Sequence, residues 1–328
     1  MTEPVQEANL EALRVQAKEI VSELGLVESS GIRIRPVSGH NSSLLYPCEG
    51  SGGKRFLLKL FAPPTDGRFY PSGVKLEDYA RREGAFYRFL DSLDPQRKQM
   101  PAPRTILLDS KDPPRWILLE RITPAVGPIE EVLGLDDVFE LMRKMQQVPL
   151  DLLLGRRDFP MSHWDVLGYR DRVRLMYDPV LFVIGERRWT RTQEFYKEAL
   201  RWTETRKPVL VHGDFTEQNM LVDEEGRAYL VDFERVGTGS EDHDIAWFWI
   251  HTQRSQAWKR RLLDAYFEER KGSARIRAEW GIRSALVYLA LRRLRFGYLV
   301  HGDEDGNSGA NLALLDAALE GGEALFPR

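Results

Sequence analysis

The hydrophobic and polar positions divide the chain into a β-rich first part and a mainly helical second part. Before residue 120, two segments have apolar residues at helical spacing, and the other apolar runs are short and bounded by turn residues. This pattern predicts helices at 7–24 and 76–90, and strands at 32–37, 43–46, 56–61, 104–108 and 116–119.

After residue 120, apolar stripes of helical spacing predominate. They predict helices at 135–147, 165–177, 190–206, 255–270, 277–299 and 308–320. Short apolar strands interrupt them near 208–211, 219–222 and 228–232. We therefore expect an α+β fold with a small β-rich lobe of residues 1–120, which includes an extra N-terminal helix, and a larger, mainly helical lobe of residues 121–328.

Composition and charge exclude several classes of protein. The chain has 328 residues, 47 basic and 50 acidic side chains and a net charge of −3, so binding of nucleic acid is not expected. Hydrophobic residues make up 42%, which excludes disorder of the whole chain. The single cysteine, Cys48, cannot form an intrachain disulfide, and no apolar run reaches the ~18 residues of a membrane helix. Because the N-terminus is acidic and polar rather than a signal peptide, we expect a soluble cytoplasmic protein.

The segment 208–234 concentrates the polar residues that could carry chemistry. Asp214 follows an apolar strand, and Asn219 and Asp232 lie at the ends of a predicted hairpin. A turn centred between residues 225 and 226 places Asn219 opposite Asp232, about 4.5–5.5 Å away. Glu-Gly is not the best pair of residues for a two-residue turn, so a shift of the strand register by one residue stays an alternative.

Two carboxylates and an amide oxygen that converge in this way suit Mg²⁺, which takes a few protein oxygens together with substrate phosphates. A carboxylate that does not bind the metal could orient a hydroxyl group and accept its proton. The alternative interpretation is a polar hairpin with solvated acids.

The motif His-Gly-Asp-x4-Asn at 212–219, with Asp-Phe-Glu at 232–234, resembles the aminoglycoside phosphotransferase/choline kinase-type family. The resemblance implies a bilobal protein-kinase-like fold that uses ATP and Mg²⁺. It implies that Asp214 is the catalytic base and that Asn219 and Asp232 bind Mg²⁺. It also implies that Asp244 braces the catalytic loop and that His212 is buried and supports this loop.

Lys59 and Glu83 form a second candidate pair. Lys59 alternates with apolar residues on a predicted strand, and Glu83 lies within the apolar stripe of the helix at 76–90. An unpaired charge at either position would be costly to bury, so we expect the two to meet. Such a contact resembles the kinase Lys–Glu pair that fixes the nucleotide phosphates.

Two further segments match the positions of nucleotide-binding elements in the family. The segment Gly39, His40, Asn41 and Ser42 lies where a turn covers the nucleotide, although an ordinary hairpin loop fits it equally well. Residues 118–122, including Glu120 and Ile122, lie where the linker between the lobes contacts adenine.

Two departures from protein kinases favour a small hydroxylated substrate, of the aminoglycoside, amino-alcohol or sugar type. Gly213 replaces the arginine of the protein-kinase loop, and only 11 residues separate Asp232 from Asp244, too few for a peptide-docking segment. The main hypothesis is therefore an ATP- and Mg²⁺-dependent kinase. The alternative is a catalytically silent nucleotide-binding pseudokinase or scaffold. A glycosidase explains neither Asn219 nor Lys59. Neither the acceptor nor the oligomeric state is predicted.

Overall fold

The computed structural model describes residues 14–28, 43–61, 76–154, 156, 159–301, 308–321 and 325. The strands are β1 Val27–Glu28, β2 Ser43–Glu49, β3 Arg55–Phe61, β4 Thr105–Leu108, β5 Trp116–Glu120, β6 Ser162–Trp164, β7 Val209–Val211, β8 Met220–Val222, β9 Ala228–Leu230 and β10 Gly237–Gly239. The helices are α1 (14–23), α2 Leu76–Leu93, α3 Ile129–Val132, α4 Leu135–Gln147, α5 Leu150–Leu154, α6 Val166–Leu175, α7 Tyr177–Thr203, α8 His243–His251, α9 Gln256–Glu268, α10 Ser273–His301 and α11 Ser308–Glu320.

The contacts divide the chain into two compact units. Unit 1 comprises the described residues of Met1–Gly127, Asp151–Pro160 and Met220–Arg235. Unit 2 comprises those of Pro128–Leu150, Met161–Asn219 and Val236–Arg328. The first segment of unit 1 contains the strands β1 to β5, and helices predominate in unit 2, so the predicted α+β fold is confirmed. The strand predicted at 32–37 lies outside the described residues.

Unit 1 contains an antiparallel sheet in the order β1-β2-β3-β5-β4. Its central strand β3 is buried on both faces. Leu58 and Leu60 pack with Ala17 and Ile20 of α1, whereas Lys59 points the other way, as the two-residue period of a strand requires. Lys59 can therefore face α2 while Leu58 and Leu60 stay packed in the core.

Unit 1 also contains the β8–β9 hairpin, and its register differs from the predicted one. Met220 pairs with Leu230, so Asn219 does not oppose Asp232 on paired strands, and that prediction is wrong. The turn has three residues rather than two. The Asp223 amide donates to the Arg227 carbonyl at 2.9 Å, and the last loop residue, Gly226, has φ 79°. A glycine with positive φ at this position is typical of three-residue hairpin loops.

Unit 2 contains the sheet β6-β10-β7, whose strands β6 and β10 the hydrophobic pattern did not predict. In β10, a Cβ atom on Gly237 would lie 2.4 Å from the Ser162 carbonyl oxygen, and one on Gly239 would lie 2.6 Å from that of Trp164. Glycine is required there because the two backbones approach closely. Helix α10 packs against α6, α7, α8 and α11. None of the helices in the described ranges is long and apolar enough to cross a membrane.

Candidate active site

In unit 1, Lys59, Glu83 and Asp232 form a compact group that we name the lysine cluster. The Lys59 Nζ atom lies 2.6 Å from Glu83 Oε2 and 2.6 Å from Asp232 Oδ1. The side chains of Lys59 and Glu83 are 5% and 0% exposed, whereas that of Asp232 is 34% exposed. The predicted contact between Lys59 and Glu83 is confirmed, and Asp232 joins it through the same ammonium group.

The charges of the lysine cluster stabilise one another. Burial by itself lowers the pKa of Lys59, but Asp232 and Glu83 together raise it above its ordinary value. Burial raises the pKa of Glu83, an effect that Lys59 and the Phe233 backbone amide oppose. Lys59 therefore stays protonated and presents a fixed positive charge beside the partly exposed carboxylate of Asp232.

Helix α2 holds the segment that carries Asp232. The Arg82 guanidinium donates to the Glu234 carbonyl oxygen and to the Pro160 carbonyl oxygen, each at 2.6 Å. The Phe233 ring lies 4.8 Å from that of Phe86, between ring centres. Asp232 itself has φ 68°, an uncommon conformation for a non-glycine residue that these contacts maintain. Consecutive residues of α2 thus fix both Lys59 and the turn after Asp232.

In unit 2, strand β7 leads into the loop of residues 212–219. The fully buried Asp244 carboxylate accepts hydrogen bonds from the His212 amide at 2.9 Å and the Gly213 amide at 3.1 Å. Burial raises the pKa of Asp244 to about 7, although the two backbone bonds lower it. Gly213 has φ 78°, which a side chain would disfavour. The expectation that Asp244 braces this loop is confirmed.

His212 supports the loop from within. It is completely buried, and its Nδ1 atom accepts a hydrogen bond from the Asp214 amide at 3.3 Å. The structural role predicted for this histidine agrees with that geometry. The half-buried Asp214 then follows at the surface of the loop.

The Asp214 carboxylate is restrained at both oxygen atoms. Trp247 Nε1 donates to Oδ1 at 2.9 Å, and Asn219 Nδ2 lies 3.3 Å from Oδ2 and 2.8 Å from the Asp214 carbonyl oxygen. The sequence analysis did not identify Trp247 as part of the site. The available signal was its spacing, because Trp247 lies one helical turn after Asp244 and therefore on the same face of α8.

The remaining predicted residues are those expected to cover the nucleotide or to contact adenine. Gly39, His40, Asn41 and Ser42 lie outside the described residues. Glu120 ends β5, and its carboxylate accepts hydrogen bonds from the backbone amide and Nε of Arg104, each at 2.8 Å. The half-buried Ile122 follows β5, and its predicted contact with adenine stays a prediction. Within the described ranges, no group of three or more His, Cys, Asp and Glu side chains is placed to hold a metal ion.

Comparisons with known proteins agree on the family and the fold. The sequence pattern of the phosphotransferase enzyme family (APH) matches residues 33–278, about three quarters of the chain. None of the curated proteins matches significantly.

Among solved structures, the aminoglycoside phosphotransferase APH(4)-Ia, a thermostable mutant in complex with ADP and hygromycin B, has 18% identity and a TM-score of 0.57 over 92% of this chain and 97% of its own. The macrolide 2'-phosphotransferase MphH from Brachybacterium faecium has 14% identity and a TM-score of 0.60 over 92% and 98%. Choline kinase LicA from Streptococcus pneumoniae has 13% identity and a TM-score of 0.57 over 94% and 98%. At these identities the structural likeness establishes the fold, and the match over residues 33–278 establishes the family: the chain belongs to the phosphotransferase enzyme family.

Proposed function

We propose that the protein is an ATP- and Mg²⁺-dependent phosphotransferase that moves the γ-phosphate to a hydroxyl group of a small molecule. The observation that carries the proposal is the restrained carboxylate of Asp214, which Trp247 and Asn219 hold by hydrogen bonds to separate oxygen atoms. A base held in one orientation is what phosphoryl transfer to a hydroxyl group requires.

In the proposed reaction, Asp214 orients the acceptor hydroxyl and accepts its proton. The hydroxyl oxygen bonds to the γ-phosphorus while the bond from that phosphorus to the β–γ bridging oxygen breaks, so the products are the phosphate ester and ADP. Lys59 holds the nucleotide phosphates through its fixed charge. Residues Gly39–Ser42 cover the nucleotide in this proposal, and the backbone at Glu120 and Ile122 contacts its base.

In this proposal, Asn219 and Asp232 supply oxygen atoms that bind Mg²⁺. The Asn219 amide donates through Nδ2 to Asp214, and its Oδ1 atom receives no hydrogen bond within the described part of the chain. The Asp232 side chain is one-third exposed, and Lys59 bonds to its Oδ1 atom. A few protein oxygens completed by phosphates and water suit Mg²⁺. When bound, the ion neutralises charge that develops on the phosphates.

The neighbours support nucleotide use and a small acceptor. APH(4)-Ia crystallises with ADP or AMP-PNP together with hygromycin B. The other two neighbours are a macrolide phosphotransferase and a choline kinase, so the shared fold serves chemically different acceptors. A silent scaffold is disfavoured because Asp214, Asn219 and Asp232 are all retained.

The test measures ADP release from Mg²⁺-ATP in the presence of a broad panel of small alcohols. We expect acceptor-dependent ADP release by the wild type and a loss of at least about 100-fold in kcat for Asp214→Asn, with nucleotide binding retained. Thermal stabilisation by Mg²⁺-ATP without turnover on any acceptor would favour the scaffold. Equal turnover by the wild type and the variant would remove the role assigned to Asp214.

A further inference from the structure

A buried ion pair lies at the end of the loop of residues 212–219, and the proposed reaction assigns it no role. Arg254 Nε donates to Glu217 Oε1 at 2.5 Å, and the two side chains are 7% and 9% exposed. The other oxygen atom of Glu217 accepts from the Thr252 hydroxyl at 2.9 Å. A glutamate in a loop is ordinarily solvated, so one that is bonded at both oxygen atoms inside the protein calls for an explanation.

Arg254 is itself held by two other elements of unit 2. Its Nη2 atom donates to the Leu133 carbonyl oxygen at 2.8 Å, at the C-terminal end of α3. Its guanidinium carbon lies 4.4 Å from the centre of the Trp258 ring of α9, within the range of a cation–π contact. The planar guanidinium thus has contacts at its edge and on its face, so its bond to Glu217 has a defined direction.

Glu217 begins the 3-10 turn Glu217–Asn219, with which the loop ends. The Asn219 amide donates to the Thr216 carbonyl oxygen at 3.0 Å, and one residue separates Asn219 from Glu217. The Asn219 side chain in turn bonds to the carbonyl and carboxylate oxygen atoms of Asp214. A displacement of the Glu217 side chain is therefore transmitted, through this short turn, to the amide that restrains the proposed base.

Helix α8 supports the loop at three places. Its first turn carries Asp244, which accepts hydrogen bonds from two backbone amides at the start of the loop. Its middle carries Trp247, which donates to Asp214 in the centre of the loop. Its C-cap residue, Thr252, is 3% exposed and donates to Glu217 at the end of the loop. The contact at Glu217 thus belongs to a series whose other members restrain the proposed base.

A buried ion pair is by itself weak evidence for stability. The cost of removing both charges from water offsets most of their attraction, and apolar residues of similar volume often replace such a pair without loss of stability. The geometry of the pair is strict, because each group must meet its partner in one orientation. The bonds around Glu217 therefore favour a role in holding the loop in one conformation.

We infer, resting on the proposed function, that the pair of Glu217 and Arg254 has a positioning role: it holds the 3-10 turn so that the amide side chain of the last residue of the turn orients Asp214. Neither member of the pair contacts the substrate in this account. Loss of the pair therefore lowers kcat, which depends on the orientation of the base, and has little effect on the KM for the acceptor.

The first arm of the test separates positioning from stability. The double variant Glu217→Leu/Arg254→Met replaces both charges by apolar side chains, so that neither charge stays buried alone. ADP release from Mg²⁺-ATP is measured with a panel of small alcohols that includes choline, kanamycin, glycerol and homoserine. We expect a Tm close to that of the wild type, a kcat lower by about tenfold or more and an acceptor KM changed by less than about threefold. Wild-type kcat in the folded double variant would overturn the inference.

Single variants provide the matched comparisons. Arg254→Lys keeps the charge but not the planar fork, so we expect a kcat between those of Arg254→Met and the wild type. The control Arg97→Met, in unit 1, removes a guanidinium that is 4% exposed and bonds to the Asp91 carboxylate and, at 2.8 Å, to the Asp94 carbonyl oxygen. We expect this control to lower the Tm and to keep the wild-type kcat. Equal losses of kcat in Arg97→Met and Arg254→Met would assign the effect to stability and overturn the inference.

The second arm measures the turn itself, without nucleotide, metal or acceptor. Hydrogen exchange of the Asn219 amide reports on its bond to the Thr216 carbonyl oxygen. We expect exchange that is faster by about tenfold or more in Arg254→Met, by less in Arg254→Lys, and unchanged in Arg97→Met. This arm does not need the double variant to fold. Equal exchange rates in the wild type and both Arg254 variants would overturn the inference.

The outcomes separate this inference from the proposed function. ADP release by the wild type, with an equal kcat in the double variant, would overturn the inference and leave the kinase function intact. Absence of ADP release by the wild type with every alcohol of the panel would contradict the kinase function, and hydrogen exchange alone would then decide whether the pair holds the turn. A lower kcat together with faster exchange of the Asn219 amide would support both.

Discussion

At the scale of single residues, the orientation of Asp214 is the most informative feature of the molecule. The spacing of Asp214 and Asn219 was sufficient to predict that their side chains lie close together, and the structure joins them by hydrogen bonds. The bond from Trp247 was not predicted, because a tryptophan in an apolar run is most simply a core residue. Trp247 is indeed 1% exposed, so one side chain both packs the core and restrains the proposed base.

We predict that Trp247→Phe lowers kcat about tenfold and leaves the KM for ATP unchanged. The phenyl ring keeps most of the packing but cannot donate to Asp214 Oδ1, so the carboxylate loses one of its restraints. Steady-state kinetics with a saturating acceptor check this. The matched control is Trp280→Phe in α10, a half-buried indole that packs against Phe195. If both variants have wild-type kcat, the indole N–H has no part in the reaction.

The lysine cluster shows which contacts of a buried charge can be predicted from sequence and which cannot. Lys59 and Glu83 were predicted to meet because each places a charge among apolar neighbours, and such charges need partners when they are buried. The contact of Lys59 with Asp232 was not predicted, because it spans 173 residues and depends on the turn after β9. Periodicity constrains which face a side chain occupies but not which distant loop meets that face.

At the scale of elements, the β8–β9 hairpin shows how one additional residue in a loop changes the positions of the side chains that flank the hairpin. The predicted register assumed a two-residue turn, whereas the loop holds three residues and ends at Gly226. A shift of one residue reverses the faces of a strand. Asn219 and Asp232 consequently lie outside the paired strands, in a 3-10 turn and at a residue of positive φ. Their shared role as metal ligands therefore stays a proposal.

Helix α2 contains Gly84 in its interior, where the pattern of the sequence gave no reason for a glycine. A Cβ atom at this position would lie 2.7 Å from Cγ of Pro114, closer than packed carbon atoms approach. The absence of a side chain thus lets α2 pack against the segment before β5. The same helix carries Arg82 and Glu83, so this packing bears directly on the lysine cluster.

We predict that Gly84→Ala destabilises the protein by about 1–3 kcal/mol, although alanine favours helix by about 1 kcal/mol. The overlap with the Pro114 ring outweighs the gain in helix propensity. The control Gly297→Ala in α10, where a Cβ atom meets nothing within 4 Å among the described residues, should instead be neutral or stabilising. Chemical denaturation of both variants checks the signs. Stabilisation by Gly84→Ala would contradict the packing account.

At the scale of the whole molecule, the hydrophobic pattern was sufficient to predict the fold class. Helices α4 and α11 have predicted and observed bounds that agree. Short strands such as β10 were missed, because a Gly-Thr-Gly strand has no apolar alternation and is held by close backbone approach. The predicted lobe boundary near residue 120 stays a prediction. The segments Asp151–Pro160 and Met220–Arg235 belong to unit 1 through contacts that the pattern of residues along the chain does not reveal.

Binding of ATP with and without Mg²⁺, measured by calorimetry, tests the central claim most directly: that this chain uses Asp232 to hold a magnesium ion on a nucleotide. Asp214→Asn and Asp232→Asn are isosteric changes that each remove one carboxylate charge. We predict that Mg²⁺ tightens ATP binding about tenfold or more in the wild type and in Asp214→Asn, and that this effect is lost in Asp232→Asn. Equal Mg²⁺ dependence in Asp232→Asn and the wild type, or binding by the wild type that does not depend on Mg²⁺, would contradict the account.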